Sequence, residues 1–453
     1  MNVSENVPAA KTWRDVPMPR GLPLLKNLLD VAGDDQLDHY LQWQRQHGDF
    51  LRLELPGARW FLINHPDEID PFLRGSYHTY HKGTFWNRVR RVLGDGLLTN
   101  DGELWRGHRR ALQPSFHPNF HASYALTMSR ATAQMLERWE RRVGESFDIL
   151  DEMSRITIVN AGLTLFSEDF GALYDRMGGE LHYVVAKMNV KNFSVSFIAN
   201  PKLRAALAKL HVIIDEIIAR RRRAIADNSA PPDMLSALLN ARDPKTGEGF
   251  TDGELHDEIL TFIFVGHETT ALSLAWTWYL LAQNPDCEML ALAEARAKVS
   301  GAAPNLAELE NLSYIKNTFL ESLRLYPPVW GLARETTREV EVRGVTLPAK
   351  TILIAIPYLT HRHPDFWPDP EKFDPTRFDS EIEKTRPRYA YYPFGGGPRL
   401  CIGMGFALLE AQIIMAAILK RYRLELLPDQ KIELALWATL RPRHGIQMRL
   451  HKR

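Results

Sequence analysis

The stretch from Thr251 to Asn284 limits the fold more than any other feature of the chain. Thr251 with Glu254, three residues on, reads as a capping box. Asn284-Pro285 ends the helical pattern. At 1.5 Å per residue, the helix between them spans on the order of 45–50 Å. It is apolar nearly all round, in "ILTFIFV" and again in "ALSLAWTWYLLA". A helix without a polar face has to be buried on every side, and only a large, mostly helical body can do that. Its middle reads "GHETT", Gly266 to Thr270. Polar groups at such depth are bonded or used. Ser and Thr bond the previous turn and bend helices, so a local distortion is expected here.

The remaining pattern fits such a body. "DFLRLELP" and "RWFLINH" alternate as half-buried strands do. Helical periodicity dominates from about residue 103 to about residue 325. Short strands follow in "EVEVRGVTLP" and "TILIAIPYL", then the proline-rich "HRHPDFWPDPEKFDPTRF". A helix over Gly403–Arg421 and strands in "YRLELLP" and "GIQMRL" close the chain. The predicted class is mainly α with a minor β region, a single large helical domain with small β-sheets. No linker, charge block or fixed-period repeat divides the 453 residues. We expect an N-terminal extension over 1–20 and one domain over 21–453.

A net charge of +1 gives no reason to expect nucleic acid. The run Arg220–Arg223 reads as a solvated helix face. The two cysteines make no disulfide framework, and Cys287, at the start of a helical stretch, reads as inert. A reducing, cytoplasmic setting follows. The polar N-terminus lacks a signal-peptide core, and no uninterrupted apolar run has membrane-spanning length. A monomer without a membrane anchor is expected.

Three further stretches carry chemistry. In "YYPFGGGPRLCIGMG" an almost unique thiol, Cys401, ends a glycine-rich loop where a helix begins. Loop amides and a helix N-terminus stabilise an anion, which would lower the thiol pKa. A nucleophile needs a base and a zinc site needs more ligands, and neither is near in sequence. A thiolate on haem iron needs only the one cysteine. In "ESLRLYPP", Glu321 and Arg324 share one helix face, a pair that needs further partners if buried. In "GELWRGHRRALQPSF", Trp105 and Arg109 share a face, as do Arg106 and Arg110. That helix either clamps an anion or shows a solvated face anchored by Trp105. The central "GHETT" lacks the second histidine of a zinc protease. It is either a satisfied polar patch or a site.

Together these stretches resemble the cytochrome P-450 superfamily. Its loop pattern Phe-x-x-Gly-x-Arg-x-Cys-x-Gly matches Phe394, Gly397, Arg399, Cys401 and Gly403. Glu-x-x-Arg matches Glu321 and Arg324, and Pro-x-Arg-Phe matches Pro375, Arg377 and Phe378. Trp-x-x-x-Arg matches Trp105 and Arg109, and the long-helix pattern matches Gly266, Glu268, Thr269 and Thr270. The motifs keep family order and cover nearly the whole chain. Val265 departs from the family's Ala or Gly, and its extra methyls would crowd the oxygen side and bear on site selectivity.

The resemblance implies a haem-thiolate monooxygenase with haem b, inserting one oxygen atom from O2 into a hydrophobic small molecule. Cys401 would be the iron ligand and Phe394 its neighbour. Arg399, Trp105, Arg109 and Arg334 would hold the propionates, with Gly266 on the cofactor's other side. Thr269 and Glu268 would activate oxygen, and Glu321, Arg324 and Arg377 would form a structural network. The pocket wall would include Leu98, Phe262, Val265, Val329, Trp330 and Ala438, all apolar. It suits hydroxylation or epoxidation of a fatty acid, terpenoid or polyketide-like compound. The segment from Leu181 to Leu210, with Lys187, Lys191, Asn192 and Lys202, would form a lid. A separate ferredoxin or flavodoxin, with its reductase, would supply electrons at the face of Arg106 and Arg110. The alternatives are a peroxide-driven enzyme and a haem-binding sensor. The acid–alcohol pair Glu268–Thr269 favours the oxygen-dependent reading.

Overall fold

The computed structural model describes residues 11–33, 35–75, 78–83, 86–187, 200–242 and 246–453. The helices that build the site are α1 (Pro66–Arg74), α2 (Gly102–Leu112), α3 (His121–Glu140), α4 (Ile149–Leu165), α5 (Phe170–Lys187), α6 (Pro201–Ala226), α7 (Asp252–Gln283), α8 (Pro285–Lys298), α9 (Ser313–Leu325) and α10 (Met404–Arg421).

α7 starts with the expected box. The Glu254 N–H donates to Thr251 Oγ1 at 3.2 Å, and the Thr251 N–H donates to Glu254 Oε2 at 2.8 Å. Two donors with no intrahelical partner are thereby satisfied. Among the described residues α7 alone is long and apolar enough to cross a membrane, and it is buried in the core instead. α4 packs along it most extensively, with α6, α9 and α10 on other sides. The cluster these helices share reaches from Val89 to Leu450. The distortion expected at mid-helix does not interrupt α7. The hydroxyls of Thr269, Ser273 and Thr277 each donate to the carbonyl four residues back, at 3.0, 2.8 and 2.7 Å. These bonds lie within the helix, and the packing around it keeps it whole.

The strands sit to one side. With β1 (Lys11–Thr12), β2 (Phe50–Leu55), β3 (Ala58–Ile63), β4 (Tyr80–His81), β5 (Leu332–Thr336) and β6 (Ile352–Ala355), the main sheet runs β2-β3-β6-β5-β4. β3 and β6 are parallel, and the other neighbours are antiparallel. "TILIAIPYL" is a strand only as far as Ala355. Pro357 then opens a short helix to Thr360, as proline favours the first helical turn. A two-stranded hairpin, β7 (Leu434–Leu436) and β8 (Leu440–Pro442), lies near the C-terminus.

Two expectations are corrected here. Residues 11–18 are not an extension. β1 pairs with Val345–Leu347, Val16 is buried, and the Arg52 N–H donates to the Pro17 carbonyl at 2.8 Å. The arginine run on α6 is not simply solvated. Successive helical residues turn by about 100°, so one of them faces inward. Arg221 is buried, paired with Asp233, and donates to Ser236 Oγ at 3.0 Å and the Phe166 carbonyl at 2.6 Å. Arg220 pairs with Glu168 and Arg222 with Asp252.

Of the expected lid, Lys191 and Asn192 lie outside the described residues. Lys187 and Lys202 both lie over the Tyr183 ring, at 5.4 and 4.6 Å.

Candidate active site

From Glu258 to Trp278, α7 is buried at every residue except Val265, Gly266 and Thr269. These three share one helix face. Surface in the middle of a core helix can only open on an interior space. The absent side chain of Gly266 would point at Ala161 of α4, whose Cβ is 3.6 Å away. Gly266 therefore offers that space its backbone alone.

Cys401 also has accessible surface, although protein surrounds its sulfur. Its loop is built by glycine. Gly397 has φ +62°, and a Cβ there would run into the Leu73 carbonyl oxygen at the end of α1. The Cys401 N–H donates to the Phe394 carbonyl at 3.0 Å, which closes the loop. Phe116 links the two regions. It stacks on Phe262 of α7 at 5.7 Å, and a Cβ on Gly403 would lie 3.9 Å from it. The thiol pKa is raised, not lowered as expected. Burial is the main cause, and it outweighs the Gly403 N–H at the sulfur and the charge of Arg109. α10 starts only at Met404, so a single amide reaches the sulfur.

Beside the loop is a corner rich in positive charge. Arg399 pairs with Asp101 and lies 4.5 Å over the Trp105 ring, and its Nη1 is buried without a partner. Burial, then the nearby Arg399, pushes the Arg334 pKa down to about 10. Lys82 is buried too. It donates to the Leu97 carbonyl at 3.2 Å and to that of Leu98, and its backbone N–H donates to Asp101 Oδ2 at 2.5 Å. Burial, then Arg399 and Arg334, holds its pKa far below the usual lysine value. Two guanidinium groups and the Lys82 amine thus gather near one carboxylate, Asp101, which leaves the corner short of anions. Arg109 does not join it. Its Nη1 donates to the Leu400 carbonyl at 2.9 Å and its Nε to Gln113 Oε1 at 2.8 Å. It ties α2 to the cysteine loop instead.

These residues fit a haem. One thiol faces an interior space, an orphaned guanidinium nitrogen lies where carboxylates are lacking, and Val265, Gly266 and Thr269 have surface in the core. Among the described residues no three of His, Cys, Asp and Glu cluster to hold a bare metal ion. A porphyrin would supply those ligands itself.

Glu268 is turned away from Thr269. Its Oε1 accepts from Thr439 Oγ1 at 3.1 Å and from Arg441 Nη1 at 3.3 Å. Of the expected wall, Leu98, Val265, Val329 and Trp330 are half-buried and Ala438 is exposed. Trp330 Nε1 donates to the Trp437 carbonyl at 3.3 Å. Phe262 is a correction: it is buried against Phe116 and packs toward the cysteine loop rather than lining the wall.

Glu321 and Arg324 of α9 are fully buried and meet in a two-pronged bond of 2.6 and 2.8 Å. Arg324 also donates to the carbonyls of His361, Pro370 and Lys372, at 2.9, 2.6 and 3.1 Å. Glu321 Oε1 accepts from the Asp374 N–H at 2.9 Å, and Arg377 Nε lies 3.4 Å from it. These are the added partners that a buried pair needs. On the outer side, Trp105, Arg106, Arg109, Arg110, His117 and Phe120 border a cleft of about 790 Å³.

The cytochrome P-450 family profile matches residues 16–449. This chain belongs to the cytochrome P-450 family. It is 34% identical over 434 residues to cyclooctatin synthase of Streptomyces melanosporofaciens, covering 94% of this chain and 93% of that protein. Cyclooctat-9-en-7-ol 5-monooxygenase of the same organism is 34% identical over 431 residues, 93% and 92% of the two chains. Pentalenene oxygenase of Streptomyces avermitilis is 28% identical over 424 residues, 92% and 93%. As a cytochrome P-450 the protein is a haem-thiolate monooxygenase. It takes one oxygen atom from O2 into a hydrophobic small molecule and depends on a redox partner for electrons.

Lys82, Asp101, Thr439 and Arg441 belong to this site and were not singled out from the sequence. Lys82 and Asp101 stand alone in their segments, and only the fold brings them to Arg399. The signal for Thr439 and Arg441 is a polar pair in an otherwise apolar stretch, "LALWATLRP".

Proposed function

We propose that Cys401 binds the iron of haem b as its thiolate ligand, and that oxygen and substrate meet over Val265 and Thr269. The observation that carries this is the surface left in the core at Val265, Gly266, Thr269 and Cys401. Haem, when bound, supplies an iron centre where oxygen is reduced by two electrons and two protons, with the thiolate donating electron density. Arg399, Arg334 and Lys82 receive the propionates, and Trp105 carries Arg399 on its ring face. Phe394 and the Gly403 N–H set the surroundings of the sulfur. The Thr269 hydroxyl and the Glu268 carboxyl pass protons to the oxygen side. Glu321, Arg324 and Arg377 hold the cysteine side in place.

The substrate is a terpenoid. Two relatives are named for terpenoid oxidation, and the wall of Leu98, Val265, Val329, Trp330 and Ala438 offers no charge to anchor a polar head group. An acidic ferredoxin or flavodoxin docks on the cleft bordered by Arg106 and Arg110. The protein works as a cytoplasmic monomer.

The test is an absorption spectrum of the haem-loaded protein, reduced and exposed to carbon monoxide. A strongly red-shifted Soret band that Cys401→Ala abolishes is expected. An unchanged band in that variant sinks the ligand assignment. Titration with pentalenene and other cyclic terpenes, against a fatty acid, should give the low-to-high-spin change with the terpenes only.

A further inference from the structure

The Glu268 carboxyl lies in the core, yet only half of it is engaged. Thr439 and Arg441 both donate to Oε1, and Oε2 is buried without a partner. Arg441 is likewise half used. Its Nη1 meets Glu268 at 3.3 Å, its guanidinium lies 4.3 Å over the Trp437 ring, and its Nε is buried without a partner. A well-made arginine–carboxylate pair is a two-pronged fork; this one is single and long. Across the helix, the Thr269 hydroxyl donates back to the Val265 carbonyl at 3.0 Å. The acid and the alcohol therefore face different partners. Tyr174 of α5 interacts with Glu268 electrostatically, and its hydroxyl donates to Asp151 of α4 at 2.6 Å. Among the described residues Arg441 is the one cation in direct contact with the carboxylate.

We propose that Arg441, helped by Thr439, is a positioning residue that withholds the Glu268 carboxyl from the Thr269 side of α7. The pair is stable enough to hold the acid, because a charge buried alone is far worse than a charge buried in a pair. It is incomplete enough to let go, because each partner has a polar atom unsatisfied. The tether comes from the β7–β8 hairpin, whose tip includes Trp437 and Ala438. The inference rests on the reading of Glu268 as the proton-passing acid.

Arg441→Gln, Glu268→Gln and the double variant test it in the haem-loaded protein. One readout is the C–O stretch of the reduced carbon monoxide complex, which senses charge on the α7 side. The other is peroxide release with a saturating plant ferredoxin and its reductase, without organic substrate. Arg441→Gln should move the stretch to a new frequency and raise peroxide release roughly tenfold, a small part of what a positioned proton donor contributes. Arg441→Lys should restore most of the wild-type behaviour. Neither readout should change when Arg441→Gln is added to Glu268→Gln. Equal effects of Arg441→Gln with and without Glu268, or no effect, overturn the proposal. Glu268→Gln leaving the rate of substrate oxidation at the wild-type value instead overturns the reading of Glu268 itself. Where Arg441→Gln fails to take up haem, Thr439→Val decides: the same shift, smaller, supports the tether, and silence refutes it.

Discussion

Replacing Glu410 by glutamine shows what burial of a carboxyl group does to this fold. Glu410 is on α10 with no exposed surface. Asn160 Nδ2 of α4 donates to its Oε1 at 2.9 Å, the Thr270 hydroxyl is beside it, and Oε2 has no partner. Burial, the largest influence, pushes its pKa from the ordinary 4.5 to about 8, against the bonds from Asn160 and Thr270. Between those values the folded chain holds a proton that the unfolded chain has lost. Stability therefore falls as pH rises from the lower value to the higher. At about 1.4 kcal/mol per pH interval, the loss is about 2 kcal/mol at pH 6 and about 5 kcal/mol above pH 8. Glutamine keeps the acceptor for Asn160 and does not ionise. Glu410→Gln should match the wild type near pH 5 and exceed it by a growing margin toward pH 8. Urea midpoints of the haem-loaded proteins, followed by far-UV circular dichroism across that range, measure the margin. A margin that stays flat with pH would refute the argument.

Other outcomes follow from the same geometry. Glu321→Gln leaves the fully buried Arg324 without its counter-charge and should cost about 3–5 kcal/mol, read as a lowered urea midpoint with loss of haem absorbance. Gly397→Ala combines a left-handed backbone, about 1–2 kcal/mol for an L-residue, with a clash against the Leu73 carbonyl. Haem content after purification should fall, whereas Gly107→Ala, on an open helix face, should leave it unchanged. At His108, burial lowers the pKa, but the bond and charge of Glu258, at 2.6 Å, and the charge of Glu254 more than offset it. The pKa lies above its ordinary 6.5, so the stabilisation is full below pH 6.5 and lost as pH rises through the folded value. The urea-midpoint gap between wild type and His108→Phe should shrink as the solution is made alkaline; a constant gap contradicts it.

Much of the site could be read in advance where its signal is local. The cysteine loop, the capping box of α7 and the Glu321–Arg324 pair are short-range patterns, set by turn chemistry, helix ends and three-residue spacing. Arg109 and Phe262 show the limit. Spacing puts each on a known helix face, but whether that face meets the cysteine loop or the open space depends on what packs against it. The expected fall in the Cys401 pKa failed for a similar reason. It counted the helix that follows and not the desolvation by everything around it.

The sequence by itself determined that a long apolar helix must be buried in a large helical body, and that one thiol sits on a loop whose tight turn glycine permits. Periodicity and backbone sterics are properties of neighbouring residues, so they survive without the fold. Only the tertiary structure decided that Lys82 and Arg334 gather with Arg399 near Asp101. It alone brought Arg441 from the C-terminal hairpin to Glu268 and Glu410 to Asn160. Each of these depends on residues far apart in the chain, and their charges and orphaned atoms acquire meaning only after water has been excluded around them.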